Sequence, residues 1–375
     1  ELRRYLDYAR GIWEAAAPAF VFGPAPGMGT LLGTDLRTLV GLRSIDAVST
    51  MRGAIRRRVA SQHLRAVLMR YATYNGSDAR CAPATLNCIA HVELALGGYG
   101  VCGGMYALVR ALEKLAESVG VRFRYSESVT TIQTARRRVQ AVVTESGHHP
   151  ADIVVSNADV AHLMCDLLGR RQGAAAESMS GWTAVFAASQ RASSPGAARS
   201  AHTVLMPDRY DREFVDVFDG HTVPSTPALY ACDQAVAHER AGWKDGRVPM
   251  FAMVNAPVAR HVDDYDWAWL ESQVRDRLTR ADLIDAADPV VWRRTPRMLA
   301  TRFPGTDGAI YGAASNSPLS AFRRPANRVK GVGGLYVASG SAHPGGGVPL
   351  CLLSGLAAAR AVVRDVRGAD EAARL

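Results

Sequence analysis

The sequence predicts an α/β chain whose two α/β parts are separated by a largely β segment. Three observations carry this. Helical and strand-like patterns alternate up to about residue 170, short strands and Pro-rich turns fill 201–255, and α/β character returns after residue 290. An apolar strand, Leu335-Tyr336-Val337-Ala338, runs into the glycine-rich turn Gly340-Ser341-Ala342-His343-Pro344-Gly345-Gly346-Gly347, and a helix of small residues follows from Leu352 to Val363. The length of 375 residues, with 48% hydrophobic residues, suits two domains, or one domain with an insertion, around a sizeable core.

The elements follow in order. Leu2, Tyr5, Leu6, Ala9, Ile12, Trp13 and Ala16 recur at helical spacing over 2–16, and Pro18 is expected to stop that helix. A Gly/Pro loop spans 23–33, and 35–70 reads as helical again. The clearest helix is 104–119: Met105, Leu108, Val109, Leu112, Leu115, Ala116 and Val119 share a face, and Gly120 suits the position after its end. Val121, Phe123 and Tyr125 alternate with polar residues, which predicts a strand. A hairpin is expected around Arg136 to Arg138, and His148-His149 reads as a hairpin tip. Ile153-Val154-Val155 is a continuous apolar run of the buried parallel type. Asn157-Ala158-Asp159 can then cap a helix. Trp182, Ala184, Phe186 and Ala188 alternate as a strand, Asp264 to Arg280 is helical, and a further strand surrounds Val290 to Trp292.

Composition narrows the function classes. No apolar run reaches the length of a membrane-spanning helix, and the beginning of the chain has no secretory pattern. The net charge is +9 and almost all of it is Arg, since Lys occurs only at 114, 244 and 330. The cluster Arg52, Arg56, Arg57, Arg58, Arg65 and Arg70 reads first as a solvated helix face and second as a patch for an anionic membrane surface. No basic run is interleaved with stacking aromatics, which argues against nucleic acid as a partner. Cys81, Cys88, Cys102, Cys165, Cys232 and Cys351 form no CxxC and no zinc spacing with His, so no metal is expected and a reducing compartment is.

Two stretches imitate a dinucleotide fingerprint. Gly27-Met28-Gly29 with Gly33 follows Pro24-Ala25-Pro26 rather than a strand, which removes its context. Gly98-Tyr99-Gly100-Val101-Cys102-Gly103 is a literal GxGxxG before a strong helix, with a strand conceivable over Ile89 to Leu96 and Glu127 further on. His91 and Glu93 are poor residues for a buried parallel strand, and Glu127 lies further away than the usual ~20 residues.

The C-terminal tract His343-Pro344-Gly345-Gly346-Gly347-Val348-Pro349 resembles the flavin-binding signature of the phytoene desaturase (carotenoid desaturase) family. Tyr99 to Leu108 resembles that family's second flavin-domain segment, Val121 to Ile132 its adenine-side strand, and Ala151 to Asp159 the strand that returns to the nucleotide domain. Tyr71 to Ser77 with Ala82 to Thr85, and Pro296 with Gly308 to Gly312, extend the likeness over most of residues 70–365. The tract from Tyr71 to Gly104 is most similar to the branch acting on hydroxylated or methoxylated linear carotenoids.

The resemblance implies an FAD/NAD(P)-binding Rossmann-like domain of the glutathione-reductase type with a mixed α+β substrate domain. The family's N-terminal strand–GxGxxG–helix unit has no match between Glu1 and Leu375, so the expected domain lacks that βαβ unit, and this chain alone is expected to hold FAD weakly. The expected parts are a helical, membrane-associated substrate part at 1–95, an FAD segment at 96–170, a β-rich substrate part at 171–295 and a C-terminal FAD segment at 296–375. The implied cofactor contacts are Val129, Asn157, Ala158, Gly340, Gly345, Gly346, Gly347 and Val348. Ser339-Gly340-Ser341 stands where many wider flavoenzymes carry an Asp.

The implied reaction is desaturation of a linear hydroxy- or methoxycarotenoid by hydride transfer to flavin. His343, in the flavin-facing turn, and Glu93 are the candidates for a proton acceptor, and His343 could equally hold the turn through backbone hydrogen bonds. The expected setting is the cytoplasmic face of a membrane, peripherally bound, with a homo-oligomer compatible with the sequence. Two other functions stay open: a fragment that binds lipid or a partner without flavin, and an amine-oxidase-like flavoenzyme.

Overall fold

The structure is a computed structural model and describes residues 1–25, 45–46, 48–170, 178–189, 200–317 and 324–368. Gly27-Met28-Gly29 with Gly33, the 35–44 part of the second helical stretch and most of the 190–200 loop lie outside the described residues. The principal helices are α1 (Leu2–Ala16), α2 (Met51–Arg58), α3 (Gln62–Met69), α4 (Tyr106–Ser118), α5 (Trp267–Arg280) and α6 (Val348–Arg367). The strands are β1 (Val129–Ala135), β2 (Arg138–Thr144), β3 (Gly147–Pro150), β4 (Val154–Ser156), β5 (Ser180–Ala188), β6 (His202–Leu205), β7 (Leu229–Asp233), β8 (Val248–Ala256), β9 (Val290–Arg294) and β10 (Leu335–Val337).

Two compact units form. One comprises Glu1–Gly97, Ser126–Met179 and Ala300–Leu375, and the other Gly98–Tyr125 and Ser180–Leu299. The expected 96–170 segment is therefore divided at Tyr125, and the 1–95 part packs with the residues expected to form the nucleotide domain.

In the first unit, α1 buries Tyr5, Ala9, Ile12 and Ala16, the stripe its spacing predicts. Pro18 does not stop the chain from coiling. A π-helical turn, Ala17–Val21, continues the helix, with Phe22 N–H donating to the Ala17 carbonyl. A wider ring tolerates the missing proline N–H. Thr50 and Ser61 cap α2 and α3 through their hydroxyls. The arginines of this stretch are largely engaged: Arg58 lies 3.6 Å from the Tyr8 ring centroid, Arg57 donates to Ser49 and Arg65 to the Val59 carbonyl.

Strands β1, β2 and β3 form an antiparallel meander. Arg136 and Arg137 both take positive φ in its first turn, the backbone that a tight two-residue hairpin requires. His148 and His149 lie within β3 instead of at a tip, because the second turn falls at Glu145 to Gly147. β4 pairs in parallel with β10, Leu335 opposite Val154 and Val337 opposite Ser156. The parallel pairing agrees with the sequence, but burial does not follow: Ile153 and Val155 are 40% and 48% exposed. Ile132, Val139, Leu163, Leu335 and Val337 make the local core.

The second unit is built on an antiparallel sheet of order β6-β7-β8-β5-β9. Trp182, Ala184, Phe186 and Ala188 of β5 are all buried, as their alternation predicts, and pack with β8 and the Leu270, Val274 and Leu278 face of α5. The Asp266 carboxylate caps α5. The same unit holds α4, and here the sequence misleads. The helix forms with its expected apolar face, yet it buries no residue, and Leu115 and Val119 are 61% and 75% exposed. Residues 121–125 form no strand, since no described strand offers them ladder partners. Residues 88–96 are helical rather than extended, so the GxGxxG at Gly98 to Gly103 lacks its preceding strand.

Candidate functional site

The parallel pair β4–β10 sets the geometry of the site. Ligands of open α/β sheets collect beyond the carboxyl ends of the strands. At that end Asn157 donates through its side-chain amide to the Ala338 carbonyl, and Val160 N–H donates to Ser341 Oγ at 2.9 Å. Asp159 Oδ1 accepts the Ala161 N–H at 2.8 Å and starts the next helical turn. The chain after β4 is thus tied to the turn after β10.

Beside this junction lies a cleft of about 720 Å³. Val129, Val154, Ser156, Asn157 and Ala158 line it, with His162 at one side. Val129, Asn157 and Ala158, which the family resemblance assigns to one ligand, therefore share one cavity. Its described lining does not include Gly340 or Gly345 to Val348, which sit on the turn itself.

That turn is packed tightly. A Cβ on Gly346 would fall 2.7 Å from Cδ1 of Tyr311, and one on Gly340 would fall 3.4 Å from the Cys351 sulfur. Gly347 takes φ +97° and opens α6 with no side-chain cap and with open space where a Cβ would stand. The first N–H groups of a 20-residue helix thus have no side-chain cap, an arrangement that favours negative charge.

His343 is buried, and its Nε2 lies 2.9 Å from the Gly23 carbonyl oxygen. A carbonyl can only accept, so Nε2 carries the proton and the ring acts as a clamp. Burial holds the imidazole below its ordinary pKa, with a further contribution from the Arg324 charge. Glu93 lies on a short π-helical stretch, Val92–Leu96, and its carboxylate is exposed. Tyr71 donates its hydroxyl to Glu93 Oε1 at 3.0 Å, and the Tyr71 and Tyr74 rings meet edge to face. Burial raises both phenols, Tyr74 to about 12.

Sequence reasoning missed two residues here. Asn327 is buried and donates to the Val337 and His343 carbonyls at 3.0 Å each, joining β10 to the turn. Arg324 donates to the Gly340 carbonyl at 2.9 Å and to Asn75 Oδ1 at 2.8 Å, joining the turn to the Tyr71–Asn75 segment. Both precede the strand in an irregular stretch, where no periodicity singles them out.

Among the described residues no group of His, Cys, Asp and Glu could hold a metal ion, and no helix is long and apolar enough to cross a membrane.

Known proteins of similar fold are oxidoreductases and oxidases by name. An oxidoreductase from Methanosarcina mazei matches with a TM-score of 0.55 at 16% identity, over 85% of this chain and 70% of that one. Cyclohexylamine oxidase from Brevibacterium oxydans matches at 0.51 and 13% identity, over 97% and 75%. Such identities speak for the fold alone.

Sequence relatives are closer. The chain is 33% identical over 310 residues to a 1-hydroxycarotenoid 3,4-desaturase of Flavobacterium, covering 80% of this chain and 62% of the relative. It is 31% identical over 390 residues to the hydroxyneurosporene desaturase of Rubrivivax gelatinosus, covering 100% and 73%. The hydroxyneurosporene desaturase of Rhodobacter capsulatus is also 31% identical, over 97% and 74%. The chain thus spans between 62% and 74% of the length of these relatives. The family model for flavin-containing amine oxidoreductases matches residues 43–363. This chain belongs to the flavin-containing amine oxidoreductase family, on the branch that holds the carotenoid desaturases.

Proposed function

We infer that this protein is an FAD-dependent desaturase of linear hydroxy- or methoxycarotenoids. The observation that carries the reading is the glycine turn between β10 and α6, whose close backbone contacts and uncapped helix start stand in a chain of this family. The residues present suit a flavin dinucleotide. The cleft at Val129, Asn157 and Ala158 has the volume of a cofactor site, and the α6 N-terminus and Arg324 offer compensation for its negative charge. In this reading those residues, with Gly340 and Gly345 to Val348, hold FAD. When bound, FAD supplies the acceptor for the hydride that leaves the polyene.

The chain's own residues do the rest. Tyr311 packs where a Cβ of Gly346 would stand, and Gly347, with open space there, leaves the backbone of the turn free for close approach. Asn327 and His343 hold the turn from behind. Glu93, oriented by Tyr71, receives at its carboxylate the proton lost from the neighbouring carbon. A polyene is soluble only in lipid, so the working place is a membrane surface on the cytoplasmic side, reached peripherally; a homo-oligomer is compatible with this.

The amine-oxidase alternative rests on the family model's description and on fold likeness at 13% identity, against relatives at 31–33% that are carotenoid enzymes by name. The test is product formation from a linear 1-hydroxycarotenoid in vesicles. Lengthened conjugation, seen as a red-shifted absorption spectrum, is expected from the wild type. Glu93→Gln should slow the reaction by about 100-fold while retaining flavin, within the range typical of a removed general base. Unchanged spectra with flavin-loaded wild type would refute the activity, and an undiminished rate in Glu93→Gln would refute the role.

A further inference from the structure

Arg324 is a half-buried guanidinium whose hydrogen bonds go only to neutral groups, the Gly340 carbonyl and Asn75 Oδ1. Among the described residues no carboxylate lies within ion-pair distance of it. It stands inside the turn: a Cβ on Gly345 would meet its Cζ at 3.6 Å, and its charge is felt at His343 and Cys351. In this unit Arg80 pairs with Asp78 and Arg328 with Asp365, while Arg65 bonds only carbonyls; what sets Arg324 apart is its place beside the glycine turn. Taking a cation out of water without an anion is costly, and a fold retains such a group where an anion arrives later.

We propose that Arg324 is the counter-charge for the bound flavin cofactor, a positioning residue whose missing anion is supplied by the dinucleotide. The proposal rests on the flavin reading above and goes beyond it, by assigning the cofactor's negative charge to one side chain. The shared chemistry is an anion at the turn. It comes either from the diphosphate, present in both redox states, or from the ring, which gains negative charge only on reduction.

The test compares purified holoenzyme as wild type, Arg324→Gln, Arg324→Lys and Asn75→Ala. Dissociation constants for oxidised FAD and midpoint potentials are measured, and inorganic pyrophosphate is used as competitor. If the diphosphate is the anion, Arg324→Gln binds oxidised FAD at least tenfold more weakly and pyrophosphate no longer competes. If the reduced ring is the anion, oxidised FAD binds as before and the reduced form binds at least tenfold more weakly, a potential lowered by about 30 mV for a two-electron couple.

In both cases Arg324→Lys keeps most of the wild-type value, because the charge remains while the fork geometry is lost. Asn75→Ala, which removes one hydrogen bond and no charge, also stays near wild type. Equal losses in Arg324→Lys, Arg324→Gln and Asn75→Ala would show a clamp and overturn the proposal, as would wild-type affinity and potential in Arg324→Gln. If Arg324→Gln does not fold, Arg324→Lys and Asn75→Ala decide between charge and clamp. A wild type that binds no FAD would instead refute the flavin reading itself.

Discussion

Gly346 occupies a place where a side chain has no room. Tyr311 stands where its Cβ would be, and the Gly340 carbonyl closes the other side at 3.5 Å. Gly346→Val must push the Tyr311 ring or the turn aside. Overpacking of this kind costs about 1–3 kcal/mol, and the displaced turn should no longer retain flavin. Urea unfolding and the visible absorbance of the purified protein check both effects; full yellow colour in the variant would contradict the role given to this turn. His343 makes a different prediction, in pH. Its folded pKa is depressed, so below the unfolded value near 6.5 the unfolded chain binds the proton more readily. Its contribution is fully present above that value and is lost as the pH falls from there toward the depressed folded pKa. Wild-type stability should therefore decline over this window, and His343→Asn should flatten the decline. Parallel pH profiles for the two proteins would count against a buried, neutral imidazole.

At the scale of elements, legibility followed the degree to which an element completes itself. The β5 alternation of Trp182, Ala184 and Phe186 was readable because both ladder neighbours and the covering helix α5 are present in the same unit. The turn at Arg136 and Arg137 and the strand–turn–helix from β10 to α6 were readable for a similar reason, since their chemistry is local. The face of α4 was read correctly as a pattern and wrongly as burial, and the strand expected from the alternation of Val121 to Tyr125 does not form. Periodicity states which residues can be covered, and only tertiary neighbours decide whether they are. Leu115→Glu tests this directly: at a 61% exposed position it should change stability by less than about 0.5 kcal/mol, the usual range for surface sites. A loss of several kcal/mol by urea unfolding would show that α4 is packed after all. Within the site, the glycines and the Asp159 cap could be picked out from sequence. Arg324 and Asn327 could not, because their partners are carbonyls and an amide far along the chain.

For the whole molecule, the reading joins a flavin-type turn, a family membership and a lipid-soluble substrate. The formal charge of +9 suits the attachment to an anionic surface that the proposed function calls for. Sedimentation with anionic liposomes at low salt should carry the protein down, and raised salt should release it. Equal recovery in the supernatant with and without liposomes would remove the peripheral-membrane part of the account. The most direct test of the central claim is the reductive half-reaction. The flavin-loaded enzyme is mixed anaerobically with a linear 1-hydroxycarotenoid in vesicles, and the flavin and polyene absorbances are followed together. The account predicts that the flavin bleaches as the polyene band moves to longer wavelength, one flavin reduced for each double bond formed. A flavin that stays oxidised beside unchanged carotenoid, but bleaches with an amine, would contradict it.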